Sequence, residues 1–146
     1  SMTDIRFASD VARFGMSYVN VGLVPGDGGA WLLPRLVGLQ KALELMWTGE
    51  LFNAEEALRI GLADEVVAPD ELHARAFALA AEVAKGAVQA QAMIKRAVDT
   101  GTESNLTDGL LLERELFEAV FRTDDSRIGV KSFLEHGPGK AEFTGR

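Results

Sequence analysis

The sequence predicts a helix-rich α/β fold in which a few short strands are covered by several α-helices, and three observations carry that prediction. Alternating apolar residues, the signature of a strand, occur only in short stretches near the start and around residues 65–68. Apolar residues spaced three and four apart, the signature of an amphipathic helix, run through most of the remainder. Gly38, Gly49 and Gly61 punctuate that remainder where helix C-termini are expected. Two or three short strands are marginal alone, so the helices must cover them.

Taken in order, Ser1-Met2 reads as a vector remnant ahead of an initiator methionine. Ile5 and Phe7, then Val11 and Phe14, suggest two short extended pieces, and Val19, Val21 and Leu23 alternate as a strand does. After Gly29 the chain turns helical; Pro34 marks a helix start or a break, and Gly38 closes that piece. Leu39 to Trp47 forms the next helix, stopped by Gly49. Asn53 caps a helix whose first turn carries Glu55 and Glu56 against the dipole, and Gly61 ends it. Glu65 to Ala68 is a short strand. Asp70 caps a helix from Glu71 to about Lys85, with Leu72, Ala76, Leu79, Ala80 and Val83 on one face. Further helices span about Ala87 to Asp99, Leu106 to Phe121 and Asp124 to Glu135, and His136 to Arg146 is irregular. No internal repeat or low-complexity segment interrupts this order.

Composition excludes several function classes. The chain has 146 residues, a formal net charge of −7 and no cysteine. The acidic balance argues against nucleic acid, which needs a basic surface. It leaves room for an anionic small ligand held by a local basic cluster. Without cysteine there is no disulfide framework, thiolate metal site or cysteine nucleophile. Two histidines, His73 and His136, are too few for a histidine-rich metal site, and no metal is expected. No apolar run reaches membrane-spanning length and no signal segment opens the chain, so no membrane partner and a cytoplasmic location are expected.

The most informative segment is Phe14-Gly15-Met16-Ser17-Tyr18-Val19-Asn20-Val21-Gly22-Leu23-Val24-Pro25-Gly26-Asp27-Gly28-Gly29-Ala30. Three glycines in four positions let a ligand approach the backbone closely, and unpaired N–H groups at the following helix start suit a polarised oxygen. Trp31-Leu32-Leu33-Pro34-Arg35-Leu36-Val37-Gly38 follows, then a helix ending Thr48-Gly49, then Asn53-Ala54-Glu55-Glu56-Ala57-Leu58-Arg59-Ile60-Gly61-Leu62-Ala63-Asp64-Glu65-Val66-Val67. In order and spacing this succession resembles the enoyl-CoA hydratase/isomerase (crotonase) family from about Asp4 onward.

That resemblance implies a single partial crotonase-like domain over 1–146, the C-terminal part of a ββα spiral fold. About 1–30 would be the end of the spiral core with its PGDGG turn, and about 31–146 a helical region. The family's oxyanion hole, two backbone N–H groups that stabilise a thioester enolate, and the first hydratase carboxylate would fall ahead of residue 1. On this resemblance the chain is expected to be incomplete as an autonomous enzyme.

The resemblance also nominates residues. Tyr18 stands where hydratases carry their second catalytic glutamate, and Ser17 where a proline precedes it. A phenol donates a hydrogen bond but is a poor base at neutral pH. Tyr18 therefore either acts as a donor or fills space. Asp27 lies in the turn where some isomerases of the family place an acid; it either shuttles a proton between substrate carbons or caps the helix near Gly28. Gly26, Gly28 and Gly29 would line the acyl-CoA site. Trp31 either lines an acyl pocket or packs in the core. Phe117 either faces bound CoA or packs within its helix. Lys140, in a Lys140-Ala141-Glu142-Phe143 ending like the family's, would contact the CoA phosphates, beside a solvated His136. Lys95 and Arg96 belong to a solvated helix face. Ser17 has no neighbouring histidine in sequence to activate it.

Two functions follow as expectations. One is acyl-CoA chemistry through a thioester enolate, isomerase-like rather than simple hydration, with coenzyme A as part of the substrate and no separate cofactor. The alternative is a non-catalytic helical oligomerisation module derived from the same fold. In either case exposed apolar faces predict a homo-oligomer.

Overall fold

The computed structural model describes residues 3–146; the reading of Ser1-Met2 lies outside them. The chain divides into two compact units, Ser1–Phe77 and Ala78–Arg146.

Among its described residues the first unit contains four short strands: β1 (Phe7–Ser9), β2 (Arg13–Phe14), β3 (Phe52–Asn53) and β4 (Glu65–Val67). β1 pairs in parallel with β4, Ala8 opposite Val66, and β2 pairs antiparallel with β3, Phe14 opposite Phe52. Arg6 fixes the first pairing. Its backbone N–H donates to Asp64 Oδ2 at 2.7 Å and its Nε to the Leu62 carbonyl at 2.7 Å.

Between the strands lie α1 (Gly29–Val37), α2 (Leu39–Thr48) and α3 (Ala54–Arg59). Gly38 separates α1 from α2, and Gly49 closes α2 in the left-handed conformation that only glycine takes easily. Asn53 caps α3 as expected, its side chain accepting from the Glu56 N–H. The core is built largely from alanine. Ala8, Ala54, Ala57 and Ala63 form one buried cluster, and Leu33, Ala42 and Leu45 another, with Phe52 and Leu62 packed against both. Small side chains let α3 lie close to the strands it follows and precedes.

Two sequence expectations fail here. The alternating segment 19–23 is not a strand: Ser17–Val21 forms a 3-10 helix ended by Gly22 at φ 73°. A strand needs a ladder partner, whereas here local bonds satisfy the backbone, with the Leu23 N–H donating to the Tyr18 carbonyl. Ser17 Oγ and Asn20 Nδ2 tether the turn to the Gly49 carbonyl at 3.1 and 3.2 Å. Pro34 does not break α1, which runs through it to Val37. The proline removes one backbone donor, and nearby the Arg35 guanidinium donates to the Trp31 carbonyl at 2.8 Å.

α4 (Leu72–Val83) runs across the boundary between the units, one residue shorter at its start than expected. The Glu71 N–H bonds the Ala68 carbonyl in a backbone turn where the Asp70 cap was expected. The second unit continues with α5 (Val88–Thr102), α6 (Leu106–Val120) and α7 (Asp124–His136). α5 and α6 form a helical hairpin across a short connection in which Asn105 caps α6. Thr123 caps α7, accepting from the Ser126 N–H. The irregular residues 137–146 return along α7, and Asp125 Oδ1 and Oδ2 accept from the N–H groups of Thr144 and Gly145.

Candidate functional site

The glycine turn places the residues nominated from sequence. Gly28 adopts φ 86°, a left-handed conformation that turns the chain into α1. At Gly29 any Cβ would collide with the Met16 side chain, so the turn packs directly on the segment leading to Tyr18. At Gly26 a Cβ would meet nothing within 4 Å, and the rim there is open.

This geometry brings Tyr18 and Asp27 together. The Tyr18 hydroxyl donates to Asp27 Oδ2 at 3.0 Å, and the Gly29 N–H donates to Asp27 Oδ1 at 3.1 Å. Asp27 thus occupies one of the unpaired N–H groups of α1 from a position one residue before the N-cap, Gly28. The bond to the helix start leaves the second carboxylate oxygen to the phenol.

The two side chains shift each other's titration in opposite directions. The hydrogen bond from Tyr18, then the Gly29 N–H, hold the Asp27 carboxyl below its ordinary value. The same bond and the carboxylate's charge push the Tyr18 phenol above its ordinary value of 10.0. At neutral pH the pair is a carboxylate accepting from a neutral phenol. Tyr18 is therefore a donor, and Asp27 is the group able to take a proton.

Trp31 follows on α1, and within this chain the residue is 56% exposed. The Arg35 guanidinium lies over its ring, 3.3 Å from the centroid. Sequence reasoning passed over Arg35, although its spacing of four from Trp31 on a helix was the available signal. Ser17 is spent on the Gly49 carbonyl. A separate apolar cavity of about 330 Å³ in this unit is lined by Phe7, Phe14, Met16, Leu33 and Phe52 among others.

The remaining nominated residues belong to the second unit. Phe117 is 63% exposed, stacks edge-on against Phe121 at 5.1 Å, and lines an apolar groove of about 260 Å³ with Met93, Ile94 and Leu116. Lys140 is exposed on the returning segment. His136 lies exposed at the end of α7, 3.7 Å from the Glu135 carboxylate. Lys95 pairs with Asp99 at 3.0 Å on an exposed helix face. Among the described residues, no group of three or more His, Asp or Glu forms that could hold a metal ion. No helix among them is long and apolar enough to cross a membrane.

Comparison with known proteins puts a family to this arrangement. The sequence profile described as enoyl-CoA hydratase/isomerase matches residues 1–146. The chain is 41% identical over 145 residues to a probable enoyl-CoA hydratase of Rhizobium meliloti, covering 99% of this chain and 56% of that protein. It is 42% identical over 130 residues to a short-chain-enoyl-CoA hydratase of Clostridioides difficile, covering 89% of this chain and 84% of the relative. A solved enoyl-CoA hydratase subunit I from Geobacillus kaustophilus superposes with a TM-score of 0.91 at 36% identity, over 98% of this chain and 55% of that one. The chain thus spans about half the length of the Rhizobium relative and of the Geobacillus structure.

Proposed function

The chain belongs to the enoyl-CoA hydratase/isomerase family, and from that premise we propose that it contributes one wall of an acyl-CoA site working through a thioester enolate, isomerase-like rather than hydrating. The observation that carries this reading is the Tyr18–Asp27 hydrogen bond of 3.0 Å. A phenol stands where the hydratase pattern has its second glutamate, and the carboxylate it touches sits on the glycine turn.

In the proposed reaction Asp27 takes a proton from one carbon of an enoyl thioester, leaving a dienolate, and returns it to another carbon. The double bond moves, no water is consumed, and the carboxylate is regenerated. Tyr18 fixes the carboxylate's orientation. It also lowers the basicity of Asp27, so desolvation by a bound acyl chain must raise it again. Trp31 would present a flat apolar surface to the acyl group. Donors for the enolate oxygen are assigned to the portion of the family domain that this chain does not span. Phe117 and Lys140 are assigned to the CoA moiety, the lysine to its phosphates.

The test is turnover of crotonyl-CoA and of a 3-enoyl-CoA by this chain together with the portion of the family domain that supplies the enolate-oxygen donors, with titration by acetoacetyl-CoA. Isomerisation of the 3-enoyl thioester, lost by roughly 10²–10⁴-fold in Asp27→Asn, is the expected result. Hydration of crotonyl-CoA that survives Asp27→Asn would overturn it.

A second reading has its own observation. Trp47, Phe77, Leu106 and Leu134 are each more than 70% exposed, which favours an oligomerisation module whose apolar faces pair with further copies. Light scattering that reports one chain mass would remove that reading. Saturable acetoacetyl-CoA binding separates the two, because only the enzyme reading requires it.

A further inference from the structure

Asp125 is the one charged residue among those described that is essentially buried, at 1% exposure, and the chemistry proposed above does not use it. Its carboxylate collects three donors from far along the chain. Oδ1 accepts from the Thr144 N–H at 2.7 Å and the Thr144 hydroxyl at 3.0 Å, and Oδ2 from the Gly145 N–H at 2.9 Å. The Asp125 N–H in turn donates to the Arg146 carbonyl at 3.0 Å. A second contact lies one turn further along α7. A Cβ at Gly129 would stand 3.3 Å from the Phe143 ring, so the ring packs closely on the α7 backbone there.

These contacts describe a strap. Gly137 and Gly139, both with positive φ, reverse the chain at the end of α7. Residues 140–146 then run back towards the first turn of a helix about 20 Å long. Lys140 sits between the reversal and the latch.

We propose that Asp125 is a latch that holds residues 143–146 against α7, and that by doing so it positions Lys140. The first part stands on the geometry alone. The second rests on the reading of Lys140 as a contact for CoA phosphates. Asp125 touches no substrate in this scheme; it is a positioning residue.

The chemistry makes Asp125→Asn a sharp probe. A carboxylate offers only acceptors to three converging donors, whereas an amide offers one oxygen and an NH₂ group. At least one strap donor must then face another donor in a buried site. Hydrogen exchange in Asp125→Asn should show the amides of residues 143–146 exchanging on the order of tenfold faster, with α5 and α6 unchanged. Unchanged strap protection, or loss of α5 and α6 together with the strap, overturns the latch. Should this variant not fold, Thr144→Val removes one donor only and must give a smaller release of the same segment.

The positioning part is read from binding of CoA against pantetheine, which lacks the nucleotide phosphates. Asp125→Asn should weaken CoA by roughly threefold to tenfold, pantetheine not at all, and add nothing to Lys140→Ala. A released strap with wild-type CoA affinity overturns the positioning part. Failure of the wild-type chain to bind CoA overturns the Lys140 reading itself, and the exchange result still decides the latch.

Discussion

The two units of this chain are held by different physics. Among the described residues of Ser1–Phe77, seven apolar residues are buried to 5% exposure or less, five of them alanines, and short strands pair in two separate two-stranded sheets. In Ala78–Arg146 no apolar side chain among the described residues is buried to that degree. The single buried side chain is the Asp125 carboxylate. The first unit is specified by excluded volume, the second by helix caps, half-buried hairpin contacts and a directional clasp. Substitutions should therefore be read differently in the two halves: volume matters most in the first, donors and acceptors most in the second.

The largest effect expected from that contrast is at Leu33, which is 3% exposed and packs with Ala42 and Leu45. Leu33→Ala should destabilise the first unit by about 2–4 kcal/mol, through lost burial plus the cavity left behind. The half-buried Leu116 of α6 should cost about 1 kcal/mol or less on the same change. Denaturant titration with a probe in each unit measures both. Equal losses would break the contrast. Next comes overpacking: Ala57, with no exposure, should cost about 1–3 kcal/mol on enlargement to Leu. Ala119 in α6, only half-buried, should tolerate the same enlargement with less loss.

Legibility from sequence follows the same division between local and distant causes. The Asn53 cap and the glycine stops at 38 and 49 depend on a few adjacent residues, and they stand where the pattern put them. The motif order from Phe14 to Val67 gave the family for the same reason: it is a local string. The 3-10 helix at Ser17–Val21 was not legible, because alongside its local backbone bonds it is tethered to the carbonyl of Gly49, about thirty residues away. Asp125 was equally hidden, since its donors lie 19 and 20 residues further on. Trp31 was ambiguous because periodicity says which face a residue occupies and not whether that face is covered. Tyr18 and Asp27 were each nominated singly; only the folded turn joins them.

Acid sharpens the comparison further. Burial pushes the Asp125 carboxyl up, but the donors from Thr144 and Gly145 outweigh it and hold the group below its ordinary value of 3.8. Stability from a depressed carboxyl is present above the unfolded value and is lost as pH falls through the folded one. The strap should stay protected from exchange through the ordinary Asp range and open only below it. The neighbouring charges are Asp124, paired with Arg127 at 2.9 Å, and Arg146. Opening at or above pH 3.8 would contradict the clasp.

The smallest effect, and the finest test, lies in the first unit. Glu56 of α3 pairs with Arg59 one turn on and with Lys41 of α2 at 3.3 Å, so one carboxylate ties two helices together. The Arg59 guanidinium, then Lys41, hold its carboxyl down from 4.5 to about 2, against some desolvation. The sign is the same as for Asp125: the contribution is full above about 4.5 and disappears as pH falls towards about 2. Arg59 is well exposed, so solvent and salt screen much of this pairing. Glu56→Gln should therefore lower the melting temperature only slightly at neutral pH. The difference from wild type should shrink as the solution is acidified and also as salt is raised. A gap that persists unchanged at pH 2 and in high salt would mean that Glu56 acts through packing, as the alanine core around it does, and not through charge.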